Sequence, residues 1–262
     1  MDQLNTLCNS AIEIIKEAGQ YIFNERKRFD QSSVQNKSAR DLVSYVDQTA
    51  ERMIVEKLSV LLPEAGFITE EKTVDKTGDL NWVVDPLDGT TNYITGLPIY
   101  STTLALVLGT EILLGITYDI PAGRCYYATK QGGAFCNGEK IKAKDNPSLE
   151  KALVIIGTPY NMGERNNSYF DFIKYVYDNA LGIRITGSAA IDMAYVAAGC
   201  ADAFIEFNLH PWDIAAGYLL VKEAGGYSCA FDGNENFMFP EIIASGNLQD
   251  EFLKLTKRFI RS

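Results

Sequence analysis

The 262-residue sequence has one histidine, His210, and no cysteines at C-x-x-C spacing. Its five cysteines (Cys8, Cys125, Cys136, Cys200 and Cys229) are scattered and odd in number. That excludes a disulfide framework and a zinc site, and predicts reduced, mostly buried thiols. No apolar run approaches the roughly 20 residues that span a bilayer, and Met1-Asp-Gln-Leu-Asn5 lacks the basic and apolar regions of a signal peptide. Positive charge is also short: 24 Lys and Arg against 34 Asp and Glu leave a net charge of −10. Nucleic-acid and anionic-membrane binders need a basic face, so neither partner is expected. There is no internal repeat and no low-complexity linker. A soluble, cytoplasmic protein is the expectation. What is plentiful is apolar surface, 47% of residues, enough for a sizeable core in one large or two fused domains.

Leu4, Leu7, Ile12, Ile15, Ala18 and Ile22 recur at helical spacing and predict a helix over 4–29; a second, over 44–62, stops at Pro63. The polar stretch 32–40 between them reads as a mobile loop. From 66 to 133 the pattern changes to short β-rich runs at 66–69, 82–85, 102–108, 112–118 and 125–129, separated by turn residues such as Gly109-Thr110. An antiparallel sheet is expected there. The second half alternates, with strands at 153–156, 183–186, 203–206, 227–229 and 242–244 and helices at 168–179, 189–198, 212–224 and 248–259. This is an α/β pattern. An α+β part (1–146) and an α/β part (147–262) are therefore expected, packed as one compact unit with a cleft between them.

The chemistry concentrates in Trp82-Val-Val-Asp-Pro-Leu-Asp-Gly-Thr-Thr-Asn-Tyr93. An apolar strand delivers Asp85 and Asp88 either side of Pro86, and carboxylates that close repel each other without a cation between them. Gly89-Thr90-Thr91 then offers free backbone N–H groups of the kind that cradle a phosphate. Three more acidic sites join them: Glu70-Glu71 at a strand end, Asp213 in the first turn of a helix, and Asp47. Taken singly, Asp213 reads as compensation of a helix dipole, worth about 0.3–1 kcal/mol, and Glu70-Glu71 as a solvated turn. Hard divalent cations need several converging oxygens, so the combination, rather than any member, points to metal-held phosphate chemistry.

Glu70-Glu71, Asp85-Pro-Leu-Asp-Gly-Thr-Thr-Asn92 and Trp212-Asp-Ile-Ala-Ala-Gly217, in that order and spacing, resemble the signature of the inositol monophosphatase family. This family belongs to the Mg²⁺-dependent, Li⁺-sensitive phosphatase superfamily, with fructose-1,6-bisphosphatases and phosphoadenosine-phosphate phosphatases. The likeness runs from Lys37-Ser-Ala-Arg-Asp-Leu-Val43 and Asp47 through Gly187-Ser-Ala-Ala190 to Glu223-Ala-Gly-Gly226. It implies a layered αβαβα sandwich, in keeping with the α+β and α/β halves.

The resemblance also implies two to three Mg²⁺ ions. Glu70, Asp85 and the Leu87 carbonyl would hold the first, Asp85, Asp88 and Asp213 the second, and Glu70 with water a weaker third. Leu87 stands where isoleucine is commoner, at no cost, since only its carbonyl binds. Glu70, Thr90 and Asp47 would orient the attacking water, and the N–H groups of Gly89 and Thr90, at a short helix start, would receive the phosphate. Asp88, Gly187, Ser188, Ala189 and Glu206 fall where the family contacts the inositol ring. Glu206 can accept hydrogen bonds from vicinal hydroxyls; a structural salt bridge is the alternative. Lys37 falls in a loop that closes over the metals in the family, unless it is a plain solvated lysine. His210 is assigned to the rim and Trp212 to packing. The implied activity is hydrolysis of inositol-1-phosphate by a homodimer. Alternatives are fructose-1,6-bisphosphate, 3'-phosphoadenosine 5'-phosphate or NADP as substrate, or a non-catalytic regulatory member.

Overall fold

Among the described residues, two large sheets and three helix pairs are layered according to which face each strand turns to which helix. The computed structural model describes residues 2–29, 35–36, 42–146, 148–159 and 163–260. The first sheet has seven strands in chain order: β3 (Gly66–Thr69), β4 (Leu80–Asp88), β5 (Ser101–Leu108), β6 (Glu111–Asp119), β7 (Arg124–Thr129), β8 (Gly133–Cys136) and β9 (Glu139–Lys140). Successive side chains of a strand face opposite ways. Trp82, Val84, Leu104, Leu106, Leu114 and Ile116 therefore share one face, buried against α1 (Asp2–Arg26) and α2 (Tyr45–Leu61). Val83, Ala105 and Val107 take the other, against α5 (Ala189–Ala197) and α6 (Pro211–Glu223).

The second sheet, in spatial order, runs β11 (Gly182–Arg184), β10 (Leu153–Ile156), β12 (Ala203–Phe207), β14 (Glu241–Ser245) and β13 (Tyr227–Cys229). Phe204, Ile242 and Ala244 face α5 and α6, while Val154, Ile156, Ile205 and Ile243 face α4 (Asn166–Asn179) and α7 (Gln249–Phe259). The layers thus run helix, sheet, helix, sheet, helix, as the resemblance implies. Helix α6 is apolar around most of its circumference because both of its sides are covered, the expected pattern for an inner layer.

Most expected elements form within a residue or two of their sequence bounds, but three corrections stand out. The first sheet is not wholly antiparallel: β3 pairs parallel with β4. The segment between them turns back along β3, with the Phe67 N–H donating to the Lys76 carbonyl (2.6 Å), so β4 starts from the same end. Strand β4 also runs on to Asp88 instead of stopping at 85; its register with β5 shifts between Asp85 and Asp88, where Pro86 has no N–H to give. The two short strands β8 and β9 were not anticipated, since the β-rich stretch was ended at 133. Residues 35–36 and 42–43 pair as a small ladder, β1 (Gln35–Asn36) and β2 (Leu42–Val43). Most of the stretch 32–40, Lys37 included, lies outside the described residues. All five cysteines are free: Cys8, Cys125 and Cys229 are buried, Cys136 is half-buried and Cys200 exposed. Among the described residues no helix is long and apolar enough to cross a membrane.

Candidate active site

The cavity of about 580 Å³ at the end of β4 gathers Glu70, Asp85, Leu87, Asp88, Gly89 and Thr90 from one half, and Gly187, Ala189, Glu206 and Asp213 from the other. Asp47 and Ser188 are not on its wall but bond to residues that are.

The first wall is the strand end itself. Asp85 and Asp88 are buried. The Asp85 Oδ1 accepts the Leu87 N–H (2.9 Å), which curls the chain around Pro86. Gly89 follows with φ +83°, as the N-cap of the short helix α3 (Thr90–Thr95). A Cβ there would sit 2.9 Å from the Ile99 carbonyl, so glycine is required by space as well as by conformation. The Thr90 hydroxyl lies 2.9 Å from the Leu87 carbonyl and 3.2 Å from Asp47 Oδ1, one proton facing two acceptors. Asp47 is fixed from its other oxygen by the N–H and hydroxyl of Ser44, the reciprocal bond that caps α2.

The second wall reaches the first through Asp88. Its Oδ2 accepts from Ser101 of the first sheet and from the Ser188 hydroxyl and Ala190 N–H (3.1 Å) of the other half. Ser188, expected at the substrate, thus spends its side chain on Asp88. Asn92 carries a second strut: its amide donates to the carbonyls of Ile99 and Thr186 (both 2.8 Å), holding the strand-to-helix turn at Gly187, itself at φ +85°. Asp192, in α5, accepts the Thr186 hydroxyl (2.6 Å) and lines the cavity. Glu206 also lines it and, among the described residues, makes no salt bridge. Its carboxyl group occupies the space that a side chain at Gly157 would fill. Gly157, Asp192 and Lys72, which also lines the cavity, were not singled out from sequence. At the rim, exposed His210 stacks on half-buried Trp212 (centroids 4.6 Å apart), and its backbone N–H donates to Asp213 Oδ2 (2.7 Å). Trp212 packs against the core between the sheets and lines the cavity as well.

Burial pushes the Asp85 carboxyl well above its ordinary range, and the charges of Glu70, Asp88 and Asp213 push it further, as does a hydrogen bond with Glu70. Asp88 rises to about 6, chiefly through burial, although its three hydrogen-bond donors pull the other way. Asp47 rises through burial too, and Glu206 through burial and then the charges of Asp192, Asp213 and Asp88. Such crowding costs free energy unless a cation offsets it. Oxygen-only donors on rigid strand and helix ends suit a hard divalent ion. Among the described residues no three acidic side chains already surround one point at ligand spacing. Asp85, Asp88 and Asp213 instead carry hydrogen bonds within the chain. The donor set fits a divalent cation; its present geometry is not that of a closed cage.

A layered sandwich with an acidic cavity of about 580 Å³ at its strand ends fits a phosphatase class. A model of the inositol monophosphatase family matches residues 3–260, and the chain belongs to that family. It is 36% identical over 257 residues to the fructose-1,6-bisphosphatase/inositol-1-monophosphatase of Thermotoga maritima, spanning 95% of each chain. It is 34% identical over 246 residues to the Nus factor SuhB of Escherichia coli K12, spanning 93% of this chain and 92% of that one. The solved structure of a Thermotoga maritima IMPase superposes with a TM-score of 0.88 at 35% identity, covering 99% of this chain and 98% of that one.

Proposed function

We propose that the protein is a Mg²⁺-dependent phosphomonoesterase acting on inositol-1-phosphate. The observation that carries this reading is the Asp85–Asp88 strand end, two buried and mutually repelling carboxylates that run directly into the Gly89–Thr90 turn. Glu70, Asp85, the Leu87 carbonyl, Asp88 and Asp213 would hold two to three ions. Bound divalent ions would supply Lewis-acid polarisation of the phosphoryl oxygens and lower the pKa of water.

The remaining work falls to the chain. The Gly89 and Thr90 N–H groups orient the phosphoryl group for in-line displacement. Thr90, whose hydroxyl proton lies between the Leu87 carbonyl and Asp47, can turn its lone pairs to the attacking water. Glu70 takes that water's proton, and Asp88 serves both the metal and the substrate. At the other wall Gly187, Ala189 and Glu206 form the sugar end. Among the described residues no salt bridge occupies the Glu206 oxygens, which suits the hydroxyls of a polyol.

The family supports a phosphatase, and the name of the Thermotoga maritima relative gives a second reading, fructose-1,6-bisphosphate, its specific support. Exposed Phe170 and Tyr177 on α4, with Leu181 and Ile185 beside edge strand β11, support a homodimer across that face. A cytoplasmic location and Li⁺ inhibition complete the proposal. Phosphate release from inositol-1-phosphate, fructose-1,6-bisphosphate, phosphoadenosine phosphate and NADP with Mg²⁺ tests it. Inositol-1-phosphate should be turned over fastest. Turnover of phosphoadenosine phosphate about tenfold faster, a gap of about 1.4 kcal/mol, would make the assignment wrong.

A further inference from the structure

Glu51 is an acid in the middle of α2, with no solvent exposure and, among the described residues, no salt bridge. Such a residue is expensive to bury unless its oxygens are fully used. They are used, on a single short segment. Oε1 accepts the Thr69 hydroxyl (2.9 Å), the Thr73 N–H (2.8 Å) and the Thr73 hydroxyl (2.7 Å), and Oε2 accepts the Glu71 N–H (2.7 Å). Four donors from residues 69–73 therefore converge on one carboxylate from another element. The segment they enclose is Glu70-Glu71-Lys72. Lys72 sits at φ +53°, a conformation a non-glycine residue rarely keeps unless its surroundings impose it. The N–H groups on either side of it, Glu71 and Thr73, both point at Glu51, as successive N–H groups do around an anion in a backbone nest. Glu70 and Lys72 both line the cavity.

We infer that Glu51 is a positioning residue. Its buried carboxylate folds the 69–73 turn around itself and thereby sets where the Glu70 carboxylate stands opposite Asp85. The inference rests on the proposed metal-dependent reading only for what Glu70 does once placed. Partners that orient ligands from behind are commonly worth about 10–100-fold in metal affinity or activity. Glutamine keeps the volume of Glu51 but replaces one acceptor oxygen with an NH₂ that meets N–H or O–H donors head-on, so Glu51→Gln should undo the turn and little else. Glu51→Asp, one methylene shorter, keeps the charge but cannot reach all four donors. Thr73→Val removes a single donor.

Amide hydrogen exchange, calorimetric Mg²⁺ binding and steady-state kinetics on the same full-length proteins make the test. For Glu51→Gln, exchange at Glu71 and Thr73 should accelerate, Mg²⁺ affinity should fall by about tenfold or more and kcat should fall by a similar factor. KM should stay within about threefold, because the phosphate and sugar contacts lie elsewhere. Glu51→Asp should fall between Glu51→Gln and the unaltered protein, and Thr73→Val should show a smaller loss of the same kind. If Glu51→Gln does not fold, the exchange and Mg²⁺ readouts of Thr73→Val decide. Faster exchange at the turn with unchanged Mg²⁺ affinity and kcat would overturn the inference. Failure of the underlying reading looks different: the unaltered protein would itself neither bind Mg²⁺ nor release phosphate.

Discussion

The two walls of the cavity put their carboxylates to different uses. On the wall from the first sheet, Asp85 and Asp88 are crowded against Glu70 and Asp213, and every neighbour of like charge makes ionisation harder. On the wall from the second sheet, Glu206 is also held up by burial and by the charges of Asp192, Asp213 and Asp88, but it stands in room cleared by Gly157. The first wall is strained by its own charge and is relieved by adding positive charge. The second is an open set of acceptors that a ring of hydroxyls can satisfy. One wall is arranged for the reaction and the other for the choice of substrate.

Breaking the first wall should have the larger effect. Asp85→Asn is expected to lower kcat by at least about a hundredfold, in line with the loss of a principal electrostatic group from an active site. In the presence of a chelator the same change should raise Tm, because a buried carboxyl facing the charges of Glu70, Asp88 and Asp213 has been neutralised. Scanning calorimetry beside a phosphate-release assay checks both; a fall in Tm would mean that burial and crowding do not destabilise the Asp85 carboxylate.

Next comes Gly157→Ala, which forces the Glu206 carboxyl aside. Displacement of a positioned group by about 1 Å can cost about a hundredfold, and here the loss should appear in kcat/KM for the polyol phosphate. Activity on a small aryl phosphate, which has no ring hydroxyls to place, should be little changed. An equal loss on both substrates would assign Gly157 to the fold instead of the sugar end.

Glu206→Gln should be milder, about tenfold in kcat/KM, the worth of a hydrogen bond to a charged group. It should also separate stability from function. The folded protein holds this carboxyl above its ordinary value of 4.5, so the group's contribution is intact below that pH and is lost as pH rises. Glu206→Gln should therefore match the unaltered protein at pH 4 and melt a few degrees higher at pH 7. A Tm difference independent of pH would contradict this. Smallest of all, His210→Ala should change kcat by less than about threefold, since the bond to Asp213 comes from the backbone N–H and survives the substitution.

The first wall was legible in the sequence because its parts are contiguous. Asp85, Leu87, Asp88, Gly89 and Thr90 lie on one strand-to-helix passage, and their spacing is already the geometry. Asp213, at the third position of α6, was legible for the same reason, whereas the reciprocal cap of Ser44 with Asp47 is a local pattern that was passed over. The α+β and α/β halves followed from apolar periodicity, and the layering from the family resemblance. The second wall depends on pairings between distant strands. Gly157 comes beside Glu206 only because β10 and β12 run parallel in the register that pairs Ile156 with Ile205. The Glu51 hub joins residues about twenty positions apart through backbone N–H groups, for which no side-chain pattern exists. The parallel entry of β3 was missed likewise: alternation reports a strand's faces but not its direction.

Phosphate release from inositol-1-phosphate, measured for the unaltered protein and for Asp88→Asn, first in chelator and then with added Mg²⁺, tests the first wall most directly. The unaltered protein should be silent in chelator and active with Mg²⁺, and Asp88→Asn should stay at least about a hundredfold slower at every Mg²⁺ concentration. Equal rates with and without Mg²⁺, or an Asp88→Asn protein as fast as its parent, would contradict the assignment of that strand end to metal-held phosphate.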